Sequence, residues 1–226
     1  MQKIPEAAVV VRSPLTRERV LDAAVAIADA SGISALTMRS LAQALGAKPM
    51  SLYHHVANKD EILDALVDLV FGEVALPSAA GDWRTEMARR AESLRAALRR
   101  HPWAVGLLET RTTPGPATLS HHNATLGVLR RAGFSVPMAA HAYALLDSYI
   151  YGFALQEATL PVSGPQSPPE VAGSIARAFS PDELPYLYEM ATEHVMQPGY
   201  DFGAEFAVGL DLVLNSLVTL LAASER

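Results

Sequence analysis

Apolar residues recur at three- and four-residue spacing along almost the whole chain, a period that predicts helices and leaves no convincing strand. Between Arg17 and Gly32, the residues Val20, Ala23, Ala24, Ile27 and Ala28 form one helical face, with Thr16 as N-cap and Ser31-Gly32 as the stop. Leu41, Ala42 and Leu45 mark a second, shorter helix between the N-cap Thr37 and Gly46, which is placed to supply a left-handed C-cap. Lys48-Pro49-Met50-Ser51 then opens a third helix, expected from Pro49 to about Val56. Proline stands where no N–H is needed, and Leu52 and Val56 are the i, i+4 anchors. Ser51, Tyr53 and His54 are left facing out. Two short helices across a tight glycine turn make a helix-turn-helix unit.

The pattern continues into a larger helical region. A helix starting at Asn58-Lys59-Asp60-Glu61 carries Ile62, Leu63, Leu66, Val67, Leu69, Val70 and Val74 toward the Pro77–Gly81 break and joins the two parts of the chain. Asp82 caps the next, which runs to about Arg100 with Met87, Ala91, Leu94 and Leu98 inward and an arginine-rich outer face. A short helix near Trp103 to Glu109 follows, then Pro116 to Ala132, Val136 to about Ala158, a start at Ser180-Pro181-Asp182-Glu183, and a last helix from Gly203 to Ala223. The segment Leu160–Pro169, rich in proline, is expected as a surface loop. The division expected is an N-terminal disordered arm over 1–15, a DNA-binding domain over 16–60 and a ligand-binding and dimerisation domain over 61–226.

Composition narrows the class. A chain of 226 residues, half of them hydrophobic, can bury a small core and a larger one. With no cysteine there is no disulfide framework and no thiolate metal site, and the N-terminal stretch lacks the order of a signal peptide, so a cytoplasmic location is expected. No apolar run is expected to span a bilayer, because the best candidate, near the C-terminus, is broken by Asp211 and Asn215. Met1 to Asp60 holds seven Lys and Arg against five acids, a net of +2, which leaves −8 on the remainder of a chain whose total is −6. Positive charge is needed only on the face that meets a duplex, so an acidic protein of this kind can still bind one site.

The segments LTMRSLAQALG (Leu36 to Gly46) and LYHHVANK (Leu52 to Lys59), after a first helix ending in glycine, resemble the DNA-binding domain of the TetR family of bacterial transcriptional regulators. Trp83 through Glu157, with Thr110-Arg111 and the turn Ala132-Gly133-Phe134-Ser135, resembles the larger C-terminal domain of that family's tetracycline repressors. The resemblance implies an all-α protein with an N-terminal three-helix helix-turn-helix domain and a larger helical domain for ligand and dimerisation. It implies a homodimer in which Val136–Ala158 and Gly203–Ala223 pair across subunits, helped by the small residues Ala139, Ala140, Ala144, Gly152, Ala204 and Gly209. It also implies repression of a palindromic operator and release by a small molecule.

On DNA, Met50, Ser51 and His54 are best placed for base edges, with Pro49 opening the helix, while Tyr53, His55, Lys48, Arg39, Thr37 and Lys59 fall nearer the backbone. Two bland roles stay open, Tyr53 packing on the first helix and Met50 shielding the turn. His54 and His55 lie about 100° apart, so at most one faces the groove well. The candidate ligand contacts are Val70, Phe71, Val74, Trp103, Leu107, Arg111, Leu126, Tyr149 and Phe153, each of which can equally be core. The histidines with which tetracycline repressors hold a metal-chelated drug are replaced at the corresponding places by Val74 or Ala75, Leu107 and about Ser148. An apolar or aromatic effector in a metal-free pocket is therefore expected, with no cofactor. Arg111, with Glu109, Asp147 or Glu157 nearby, is a candidate structural ion pair.

Enzymatic readings find little support. His121 and His122 are adjacent and His101, His141 and His194 isolated, so no pair sits at metal-site spacing, and no phosphate loop or nucleophile turn is present. An all-helical enzyme with an accessory DNA-binding domain would turn over a small molecule and need no operator, and a ligand-independent adaptor would lack an enclosed pocket.

Overall fold

Helix caps written in the sequence fix where the chain turns, and a computed structural model describes the result for residues 14–160 and 180–223. The expected N-terminal arm lies outside the described residues except for Pro14 and Leu15, and the proline-rich loop lies outside them beyond Leu160. The chain divides into two compact units, Met1–Leu66 and Val67–Arg226. The described residues form ten α-helices with short 3-10 and π segments and no strand.

The first unit holds α1 (Arg17–Ser31), α2 (Met38–Leu45), α3 (Pro49–Leu52) and the start of α4 (Lys59–Gly72). The Thr16 hydroxyl accepts the Arg19 N–H at 3.2 Å and starts α1. Thr37 and Ser40 form a reciprocal capping box: the Thr37 hydroxyl accepts the Ser40 N–H at 3.0 Å, and the Ser40 hydroxyl accepts the Thr37 N–H at 2.9 Å. Gly46 ends α2 at φ 62° and ψ 31°, the left-handed conformation that favours glycine. Val20, Leu21, Ala24, Leu36, Leu41, Leu52, Val56 and Ile62 are buried, while Leu45 is only half-buried.

One expectation changes here. Regular helix in α3 stops at Leu52, and Tyr53, His54 and His55 form a turn that returns the Val56 N–H to the Leu52 carbonyl at 3.1 Å. The following residues are already committed to α4. Asn58 accepts the Glu61 N–H at 2.8 Å and Glu61 reaches back to the Ala57 N–H at 2.6 Å, which leaves no length for another turn of α3.

The second unit continues with α5 (Trp83–Arg100), α6 (Val105–Leu108), α7 (Pro116–Arg131), α8 (Val136–Thr159), α9 (Pro185–Met190) and α10 (Glu205–Ala223). Helix α8 packs against α5, α7 and α10. Asp82 caps α5 by accepting the Thr85 N–H at 2.9 Å, and Ser135 caps α8 by accepting the Met138 N–H at 3.3 Å. Met87, Leu94, Leu98, Leu129, Phe134, Leu146, Ile150 and Phe206 fill the core.

Several bounds differ from expectation for local reasons. Helix α4 ends at Gly72, short of the proline break, and the Ala75 N–H goes to the Ser93 hydroxyl at 2.8 Å. Residues Pro181–Glu183 form a turn, and helix begins only at Pro185, because a proline disfavours helical backbone in the residue before it and suits the first helical position. The last helix opens with a 3-10 turn over Phe202–Ala204, where Asp201 accepts the Gly203 N–H at 2.9 Å. Contrary to the reading that polar residues break it, Phe202–Ala222 is long and apolar enough to cross a bilayer by length and composition, at mean hydropathy 1.6. Two polar residues are too few to lower that mean. Phe206, Leu210, Leu214 and Leu217 nonetheless lie in the core of the unit, and Asp211 pairs with Arg84 at 2.5 Å.

The outer face assigned to the α5 arginines is the largest correction. Arg90 is fully buried, and its Nη2 donates to Asp147 Oδ1 on α8 at 2.6 Å. Arg95 forks onto Glu157 of α8 at 2.9 and 2.6 Å. Asp147 and Glu157, considered as partners of Arg111, are thus held by α5. Replacing Asp147 by Ala should cost about 3–5 kcal/mol of unfolding free energy, since it strands a buried guanidinium. Removing Arg17 from its exposed 3.4 Å pair with Glu61 should cost no more than about 1 kcal/mol. Urea unfolding of both variants measures the difference, and equal losses would contradict it.

Candidate DNA-binding surface and effector site

Of the ten residues expected at DNA, Thr37, Arg39, Lys48, Pro49, Met50, Tyr53, His54 and Lys59 are exposed, and Ser51 and His55 are half-buried. Met50 is 73% exposed and Tyr53 46%, so neither is withdrawn into the core of the unit. Arg39, Lys48 and Lys59 have no ion pair among the described residues. Lys59 is the first residue of α4, where unpaired helical N–H groups add positive potential. An apolar thioether, a phenol, an imidazole and three unengaged cations on one capped helix-turn-helix can meet thymine methyls, base edges and phosphates together.

In the second unit the residues expected around a ligand fall into separate groups. Val70, Phe71 and Val74 are buried on and just after α4, and the Phe71 ring meets His121 at 5.4 Å and His122 at 5.5 Å between centroids. Tyr149 and Phe153 instead join an aromatic cluster with Phe202 and Phe206. Phe153 stacks on Phe202 at 4.8 Å, Tyr149 donates to the Phe206 carbonyl at 2.8 Å, and the Arg95 guanidinium lies 4.7 Å from the Phe206 ring. Trp103 packs by His101 at 5.7 Å, Leu107 and Arg111 are half-buried, and Leu126 is exposed.

A polar centre that the sequence reading did not assemble lies beside the first group. Arg90, His121 and Asp147 are buried, His122 meets Tyr143 edge-on at 5.3 Å, and the Arg90 guanidinium stands 5.5 Å from the Tyr143 ring. Tyr151 donates to Asp147 Oδ2 at 3.2 Å. The only signal for Arg90 was its position, three residues after Met87 and four before Leu94, on the inward stripe of its own helix. His121 and His122 stood out only as a doublet. Imidazoles therefore do enter this core, from α7 and not from the places considered.

Burial governs the protonation of these groups. It pushes the His121 imidazole down to about 3, with the Arg90 charge acting the same way, and it lowers His122 against the pull of Asp147. Burial also raises the phenols of Tyr143 and Tyr151, with Asp147 adding to the effect. At neutral pH the centre is an arginine–aspartate pair surrounded by uncharged donors and acceptors.

Coupling from this centre to α4 is direct within the unit. Asp68 accepts from both the Thr118 N–H at 2.8 Å and the Thr118 hydroxyl at 2.9 Å, in the first turn of α7. A side chain at Gly115 would collide with that carboxylate. Helix α7 thus touches α4 at Asp68 and again at Phe71.

His121 carries a consequence for acid stability. A histidine whose folded pKa lies below its unfolded value of 6.5 binds its proton only on unfolding, so stability falls as pH drops from about 6.5 toward 3. The slope is about 1.4 kcal/mol per pH unit. Between pH 6.5 and 5 the unmodified protein should lose about 2 kcal/mol more than a His121→Leu variant. Urea unfolding across that range measures it, and parallel pH profiles would count against a neutral His121.

Comparison with known proteins agrees with both units. Residues 20–66 match the family described as bacterial regulatory proteins, tetR family, and residues 76–221 match the tetracyclin repressor-like C-terminal domain. A helix-turn-helix transcriptional regulator of Saccharopolyspora erythraea is 40% identical over 139 residues, which span 61% of this chain and 59% of that protein. The transcriptional repressor DrrR1 of Streptomyces coeruleorubidus is 31% identical over 221 residues, 92% of this chain and 79% of that one. Among solved structures, Streptomyces coelicolor ActR in complex with actinorhodin aligns at a TM-score of 0.77 and 29% identity, covering 92% of this chain and 99% of that one. The chain therefore belongs to the TetR family of helix-turn-helix transcriptional regulators and is not an enzyme.

Proposed function

We propose that the protein is a cytoplasmic repressor that binds a palindromic operator as a homodimer and releases it when a small aromatic molecule occupies the second unit. The observation that carries this reading is the exposed, unengaged set on the helix-turn-helix, Arg39, Lys48, Met50, Tyr53, His54 and Lys59. The relatives support it: DrrR1 is named a repressor, and ActR was solved with actinorhodin bound.

Dimerisation is supported by apolar surface that the chain leaves uncovered. On α8, Ala144, Leu145, Ser148, Gly152 and Leu155 form one exposed stripe, and on α10 Val208 (59% exposed) and Leu212 (64%) continue toward Ser216 and Thr219. Such a face is buried by a partner helix in a stable protein. Ala139 and Gly209 do not belong to it. Ala139 is buried within the unit, and a side chain at Gly209 would strike Tyr149.

Release follows if the effector binds better to a form in which α4 is displaced. Two recognition helices must match half-sites a whole number of turns apart, about 34 Å or a multiple, and a shift of α4 spoils the match. Effector contact with α7 reaches α4 through Asp68 and Phe71.

The division of labour on DNA is testable by fluorescence anisotropy on a panel of duplexes across salt concentrations. Lys59→Ala should weaken every duplex by a similar factor and reduce the salt slope by about 0.9 for one lost phosphate contact. His54→Ala should instead change the order of preference among duplexes. A sequence-selective loss at Lys59, or a uniform one at His54, would contradict the assignment.

A further inference from the structure

The centre of the second unit has donors with nothing to bond. Arg90 is wholly buried, and only its Nη2 is engaged, by Asp147; Nε and Nη1 have no hydrogen-bond partner among the described residues. His121 is 1% exposed, and neither of its ring nitrogens has a partner. Buried polar groups are almost always satisfied, and leaving guanidinium N–H groups bare inside a core is among the more costly exceptions. Two orphaned residues on different helices, α5 and α7, with the rings of Phe71 and Tyr143 beside them, mark a place built for a molecule that brings its own polar atoms.

The chemistry of that molecule follows from counting. Arg90 offers N–H donors only, and a neutral His121 offers one donor and one lone pair, so the complement is mostly acceptors with room for one hydroxyl. Charge narrows it further. The Arg90 and Asp147 charges already cancel, so a carboxylate would leave an uncompensated buried negative charge, and a metal chelate would bring a cation against Arg90. An uncharged carbonyl oxygen satisfies the donors without either cost. Resting on the effector reading above, we infer that this site takes an uncharged aromatic carbonyl compound, its carbonyl oxygen accepting from Arg90 and a ring hydroxyl, where present, facing His121. The flat faces fit between Phe71, His122 and Tyr143.

Three probes of nearly equal shape separate the possibilities: 2-acetylnaphthalene, 2-isopropylnaphthalene and 2-naphthoate, titrated by calorimetry into the full-length protein near pH 7.5. The ketone should bind at least about tenfold more tightly than the hydrocarbon or the carboxylate, the factor expected for a hydrogen bond to a charged donor. The preference should vanish in an Arg90→Met/Asp147→Leu double variant, which removes both charges together and so keeps the core paired. His121→Phe, which leaves Arg90 in place, should keep the ketone preference. Equal affinity for ketone and hydrocarbon, tighter binding of the carboxylate, a preference that survives the double variant, or binding of none of the three would overturn the inference. Duplex retention measured with the ketone bound reports separately on the effector role: binding with the expected preference but no loss of DNA leaves this site standing and removes the release mechanism.

Discussion

A buried charge must be paired, and the pairing of Arg90 with Asp147 is the constraint on which the second unit turns. Taking a guanidinium out of water is costly unless an anion and good hydrogen bonds meet it, so Arg90 fixes how α5 and α8 face each other. Arg95 and Glu157 repeat the arrangement farther along the same two helices. With α8 held in this way, its buried side carries Leu146, Asp147 and Ile150 into the core, and its other side presents Ala144, Ser148 and Gly152 outward. One ion pair therefore sets both the polar centre proposed for an effector and the direction of the face proposed for a partner subunit.

The pair is not saturated, and that incompleteness distinguishes a binding centre from a structural rivet. Arg95 uses two nitrogens on Glu157 and lays its guanidinium over aromatic rings, which leaves it well satisfied. Arg90 uses one. The neighbouring His121, kept neutral by burial, adds a second unsatisfied group, and Asp68 at the start of the same helix α7 ties that region to α4. A ligand that satisfied the centre would act on the helix already bonded to the element continuing into the DNA-binding unit.

What was legible in the sequence was local. The Thr37–Ser40 box, the left-handed Gly46, the Asp82 and Ser135 caps and the starts of α4 and α8 depend on residues within a turn of one another, and each stands where its pattern placed it. The length of α3 was not legible in that way, because it is set by competition with the Asn58–Glu61 cap of the next helix. Arg90 was misplaced because its partner is 57 residues away, and arginine between apolar neighbours reads as surface until that partner is known. The ligand residues were chosen as aromatics on helices. That rule found Phe71 but also gathered Tyr149 and Phe153, whose stacking on Phe202 and Phe206 closes α8 onto α10.

The central claim is that an exposed helix-turn-helix reads one duplex site in a paired arrangement. Selection of the purified protein against a random duplex library at about physiological salt, with sequencing of the retained DNA, tests it most directly. Two half-sites related by a dyad and separated by a whole number of helical turns are the predicted result. Retention that is blind to sequence and lost with added salt would contradict it, leaving a fold without the function proposed for it.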